Sequence, residues 1–161
     1  MWAALPVSAI PAATEPRNAD ARWQLIDAVQ QHLFPSEPEA PGARELKALA
    51  YLQWVVADQG LDPEERAFVL QGADWLDGIA RETDEGGFLD LDQAGREAVL
   101  RRVAQSPAGE NWLSTLLLYI FEALLADPVY GANPDGIGWR WLGHQPGFPR
   151  PVPGKRYGEL G

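Results

Sequence analysis

From Asp127 to Pro151 the chain reads Asp-Pro-Val-Tyr-Gly-Ala-Asn-Pro-Asp-Gly-Ile-Gly-Trp-Arg-Trp-Leu-Gly-His-Gln-Pro-Gly-Phe-Pro-Arg-Pro. This sets Tyr130, Trp139, Trp141 and Phe148 on a backbone punctuated by glycine and proline. Such a backbone cannot be a long helix or a central strand. Each ring left in water forgoes roughly 1.5–3 kcal/mol of burial, and disordered tails are poor in aromatics for that reason. The rings must therefore pack on the body of the chain, on a partner, or on both.

The body is of single-domain size: the chain has 161 residues, 46% of them hydrophobic, with seven tryptophans. That is enough to bury one core. A net charge of −10 argues against a nucleic-acid partner, because phosphate binding needs clustered Lys and Arg, and only Arg101-Arg102 and Lys155-Arg156 pair up. The absence of cysteine excludes disulfides, thiol catalysis and Cys-type zinc or iron–sulfur sites, but leaves the compartment open. The apolar run Met1 to Ala13 reads either as the remnant of an export signal without its positive n-region or as an ordinary apolar arm. The run from Trp112 to Ala126 is shorter than the roughly 20 apolar residues that cross a bilayer, and it contains Ser114, Thr115 and Glu122. It reads as a buried helix, not a membrane span.

Apolar residues recur at helical spacing along the rest of the chain, and no β alternation is present, so the expectation is an all-α fold of about five helices. The first runs from about Ala21 to Phe34, with Asn18 and Asp20 as N-cap oxygens and Leu25, Ile26, Val29 and Leu33 on one face. Pro35 ends it, and the proline-rich Pro35–Gly42 stretch is a stiff connector. The second spans about Ala43 to Gln59 with Leu46, Leu49, Leu52 and Val56 as its stripe, Trp54 pointing elsewhere, and Gly60 as its stop. The third starts at Asp62-Pro63 with Glu65 at N3 and presents Phe68, Gly72, Trp75, Leu76 and Ile79; Gly72 signals a close neighbour. The fourth is capped by Asp90 with Gln93 at N3, and turns Val99, Leu100 and Val103 inward. The fifth, started by Ser106-Pro107 and running from about Pro107 to Ala126, buries Trp112, Leu116, Tyr119, Ile120, Ala123 and Leu124, with Leu113, Leu117 and Phe121 nearly opposite. A helix apolar nearly all round is central or at an interface. Three regions follow: an apolar arm or signal remnant over 1–20, a helical bundle over 21–126, and a long non-helical Gly/Pro/aromatic segment over 127–161 that packs on the bundle or a partner.

No constellation of catalytic groups stands out. His32 and His144 lack metal-ligand spacing and read as solvated or capping residues. Asp84-Glu85 and Asp90 with Asp92 lack the calcium-loop pattern. The glycines between Gly131 and Gly138 follow no strand and have no Lys-Ser/Thr, so a nucleotide cradle is not expected, and no Gly-x-Ser-x-Gly elbow exists. The alternative to a binding protein is a free-standing enzyme with an acid–base site formed by Glu122, Tyr130 and His144, where a carboxylate near a histidine would move protons.

The tail carries a more specific signal. Asp127-Pro128-Val129-Tyr130-Gly131-Ala132-Asn133, then Gly136-Ile137-Gly138-Trp139 and Leu142-Gly143, resembles the C-terminal hallmark of the gluconate 2-dehydrogenase subunit 3 (gamma subunit) family, D-P-x-Y-G-G-N followed by G-x-G-W and G. Pro41-Gly42-Ala43 before the second helix is similar to that family's P-G-A segment, and the Phe88 approach to the fourth helix fits as well. Ala132 stands where glycine is usual. The resemblance covers roughly 22–150 and implies a non-catalytic small subunit, with no cofactor or metal of its own. Its expected partner is a large FAD-dependent sugar or alcohol dehydrogenase of the glucose-methanol-choline type, often with a multihaem cytochrome c subunit carrying haem c. It also implies a role in maturation or twin-arginine export of the flavoprotein, hence the periplasm, with the cytoplasm as the alternative because no twin arginine is present here. The residues expected to meet the partner are Tyr130, Asn133, Trp139, Trp141, Leu142, His144 and Phe148.

Overall fold

Proline, serine and aspartate set the starts of three helices in the computed structural model, which describes residues 19–83 and 86–155. The apolar arm, the Asn18 cap and the Asp84-Glu85 pair lie outside the described residues. Six α-helices are present among them: α1 Ala19–Leu33, α2 Ala48–Ala57, α3 Pro63–Arg81, α4 Gln93–Val103, α5 Pro107–Leu125 and α6 Ile137–Leu142. Short 3-10 turns occupy Phe88–Asp90, Pro128–Tyr130 and Pro134–Gly136. The fold is all-α, as the periodicity predicts. The tail is not wholly non-helical, however, because α6 lies inside it.

Asp62 accepts the Glu64 N–H at 2.7 Å with Pro63 in the first turn of α3, and Ser106 accepts the Gly109 N–H at 3.0 Å with Pro107 in the first turn of α5. Asp20 sits inside the first turn of α1 instead of capping it. Glu65 does not close a capping box; its carboxylate accepts the Tyr119 hydroxyl at 2.5 Å across to α5. Helix α4 is capped by Asp92, not Asp90, through the Gly95 N–H. The reason is Phe88, fully buried with its N–H on the buried Asp77 carboxylate at 3.0 Å, which draws Phe88–Asp90 into a separate turn.

Helix α2 begins five residues later than its stripe suggests. Lys47 adopts the left-handed region at φ 56°, and the preceding residues form turns. That break buries Leu46 while its carbonyl accepts the Asn133 N–H at 3.0 Å, so a tail residue claims the group that a continuous helix would use. At its other end Arg66 of α3 donates to the Val56 and Asp58 carbonyls at 2.8 and 2.6 Å, satisfying the end of α2 from outside.

Helix α5 is the axis, packing on α1, α2, α3 and α6. Its first half, with Trp112, Leu116 and Tyr119, joins the main core with α1 to α4; its second half, with Ile120, Ala123 and Leu124, forms a second cluster with Ala43, Leu46, Ala48 and Ala132. On α3 Gly72 and Leu76 are buried as expected, but the rest of the buried apolar face is Val69, Ala73 and Ala80, while the expected Phe68, Trp75 and Ile79 are only partly buried. Gly72 does mark a close approach: a Cβ there would lie 2.1 Å from the Trp112 indole, which donates to the Val69 carbonyl at 3.0 Å.

Candidate docking surface

Asn133 organises the tail. It is fully buried at φ 49°, a left-handed conformation that asparagine tolerates better than most residues. Its amide nitrogen donates to the Ala126 carbonyl at 3.0 Å, and its amide oxygen accepts the Gly138 N–H at 2.7 Å. One side chain thus joins the end of α5 to the start of α6. Gly138 has to be glycine here, because a Cβ would lie 2.4 Å from the Leu124 carbonyl oxygen. Trp139 is buried beside it, with its indole N–H on the Leu125 carbonyl at 2.9 Å.

The remaining tail residues divide by direction. Tyr130 packs at a tilt against Trp54 of α2, which in turn packs at a tilt against Tyr51. His144 packs against Trp139 and donates its backbone N–H to the Trp139 carbonyl at 2.8 Å. Trp141 meets Phe34 edge-on at 6.1 Å yet stays 42% exposed, Leu142 is also exposed, and Phe148 is 95% exposed. Arg150 folds the tail end back: it forms two hydrogen bonds to Asp127 at 2.8 and 3.2 Å and lies over the Trp139 ring. Arg150 in turn holds the Asp127 carboxyl below its ordinary range, assisted by the Val129 N–H. Of the seven expected contact residues, the outward set is therefore Trp141, Leu142, His144 and Phe148, Tyr130 is half-buried, and Asn133 and Trp139 point inward and shape the surface from beneath.

Of the acid–base grouping, Glu122 and Tyr130 both act on Tyr51, whereas His144 packs against Trp139. Glu122 accepts the Tyr51 hydroxyl at 3.1 Å, and Tyr51 is held protonated far above the ordinary tyrosine range by burial and then by that carboxylate. His144 lines a shallow cavity with Asp135, Trp139, Arg140 and Arg150 and another with Leu125 and Phe148; neither takes in Glu122 or Tyr130. The glycine-rich turn is no phosphate cradle either, because the N–H groups of Gly131, Gly136 and Gly138 bond to Pro128 and Asn133. Among the described residues no three His, Asp or Glu side chains gather as a metal site, and no helix is long and apolar enough to cross a membrane.

A family model described as gluconate 2-dehydrogenase subunit 3 matches residues 20–147, which takes in α2 to α6, all but the first residue of α1, and the Asn133 closure of the tail. The chain belongs to that family. A gluconate 2-dehydrogenase subunit 3 is by description one part of a multi-subunit dehydrogenase, so partners are implied. No match was found among curated proteins or among solved structures. Ala132, expected as a departure from the resemblance, stands where no glycine is needed, since its φ is not positive and its methyl group fills the second cluster.

The surface residues that sequence reasoning missed are Phe34 and the exposed side of α5. Phe34 meets Phe121 edge-on at 6.2 Å and Trp141 at 6.1 Å, so three rings from three parts of the chain form one patch. The only hint in the sequence was the nearly all-round apolarity of α5.

Proposed function

We propose that this chain is the non-catalytic small subunit of an FAD-dependent dehydrogenase complex of the gluconate 2-dehydrogenase type, and that it supports maturation, export or stability of the flavoprotein subunit. The carrying observation is the family match over residues 20–147 combined with a tail whose Asn133 clamp displays Trp141, Leu142 and Phe148 to the outside. Exposed aromatic anchors of this kind are what interface hot spots are built from. In this reading the flavin resides in the large chain, a haem c subunit completes the electron path where one is encoded, and the complex works in the periplasm.

The test is co-expression with the flavoprotein encoded beside it. The tagged chain retains a yellow partner, and Trp141→Ala lowers both retention and flavin loading of the large subunit. The purified chain alone, given sugar acids and a dye acceptor, shows no turnover. Unchanged retention in Trp141→Ala would refute docking through the tail, and turnover by the isolated chain would refute the accessory role.

A further inference from the structure

Leu118, Phe121 and Leu125 recur at i, i+3 and i+7 on α5, and so share one face. Each stays between 43% and 55% exposed, although the helix is otherwise wrapped by α1, α2, α3 and α6. Phe121 continues through Phe34 to Trp141, and Leu125 shares a cavity wall with Phe148. Contiguous exposed apolar surface of this kind marks an interaction site. Beyond Trp141 lies a groove of about 510 Å³ between the 36–41 connector and α6, lined by Glu37, Glu39 and Glu45 against a single arginine, Arg140. Glu45 is occupied by Ser36 and the Gly42 N–H, and Arg140 is turned to the Asp135 carbonyl, whereas Glu37 and Glu39 are exposed and form no ion pair among the described residues.

We infer that the docking face is composite, an apolar strip of Leu118, Phe121, Leu125, Phe34 and Trp141 edged by Glu37 and Glu39, and that its occupant is a different protein whose apolar centre is flanked by Arg or Lys. This rests on the accessory-subunit reading and names the chemistry that the partner surface must have. Charge decides against a second copy as occupant: the chain carries −10, and a self-contact would bring two acidic bodies together.

The test uses the full chain co-expressed with the flavoprotein encoded beside it, with retained flavin absorbance as the readout and thermal melts to confirm folding. Leu118→Glu and Phe121→Ser each lower retention at least tenfold, while Leu89→Glu, on the exposed turn before α4, leaves it unchanged. The Glu37→Lys/Glu39→Lys pair lowers retention several-fold at low salt, and the difference from wild type fades at about 0.5 M salt as screening shortens the range of the charges. Full retention in both apolar variants overturns the composite face while leaving the accessory role intact; no retention by the wild-type chain overturns both. A charge reversal without effect at low salt overturns the basic edge. A wild-type dimer in sedimentation that Phe121→Ser dissociates assigns the face to a second copy and overturns the inference. Stronger retention by a chain starting at Ala19 assigns it to the first eighteen residues and overturns it equally.

Discussion

Asn133 shows how much a single side chain can decide, since its two amide bonds and its left-handed backbone are all satisfied within the chain. Asn133→Ala leaves the Gly138 N–H and the Ala126 carbonyl unpaired and keeps the strained φ, so it lowers unfolding free energy by about 2–4 kcal/mol in urea titration. Asn133→Gly relieves the backbone alone and falls between alanine and wild type; equal losses would show that backbone strain plays no part. Gly72 makes the opposite case. Alanine there gains about 1 kcal/mol of helix propensity but drives its methyl group into the Trp112 indole, and overpacking of this kind costs about 1–3 kcal/mol. The net outcome is a destabilised protein, and a raised melting temperature would refute the close packing of α3 on α5. The sequence announced Gly72 because a glycine in mid-helix has a local penalty that needs a reason. Nothing local announced that Asn133 faces inward.

Helix boundaries followed the chain where the caps were local and departed from it where a distant group intervened. Ser106 caps α5 from the position its sequence suggests, and Ser106→Ala lowers stability by about 1 kcal/mol. Helix α2, by contrast, starts late because the tail takes the Leu46 carbonyl, and it ends under Arg66 of α3. The tail end is held by Arg150 on Asp127, whose carboxyl is depressed in the folded state. A depressed carboxyl contributes stability that is present above the ordinary carboxylate value, near pH 4, and is lost as pH falls through the folded value. The Arg150 Nε–H resonance therefore keeps its bonded position at neutral pH and moves to that of free arginine only in acid below about pH 4. In Asp127→Ala it shows the free position throughout.

On the scale of the whole molecule, α5 belongs to both apolar clusters, so the bundle and the tail share one scaffold. They unfold together: urea transitions followed by far-UV circular dichroism and by tryptophan fluorescence coincide, and a separate early tail transition would contradict the shared scaffold. The sequence by itself determined the all-α class, the six residues of α5 that enter the core, the starts of α3 and α5, and the family signature of the tail. Each of these is written in spacing or in caps a few residues long, so reading along the chain suffices. The tertiary structure alone decided which tail rings turn inward, how Phe34, Phe121 and Trp141 come to share one patch, and why α2 breaks at Lys47. Those outcomes depend on contacts between residues far apart in the chain, such as Leu46 with Asn133, and on competition for a fixed number of buried places, which no local pattern records.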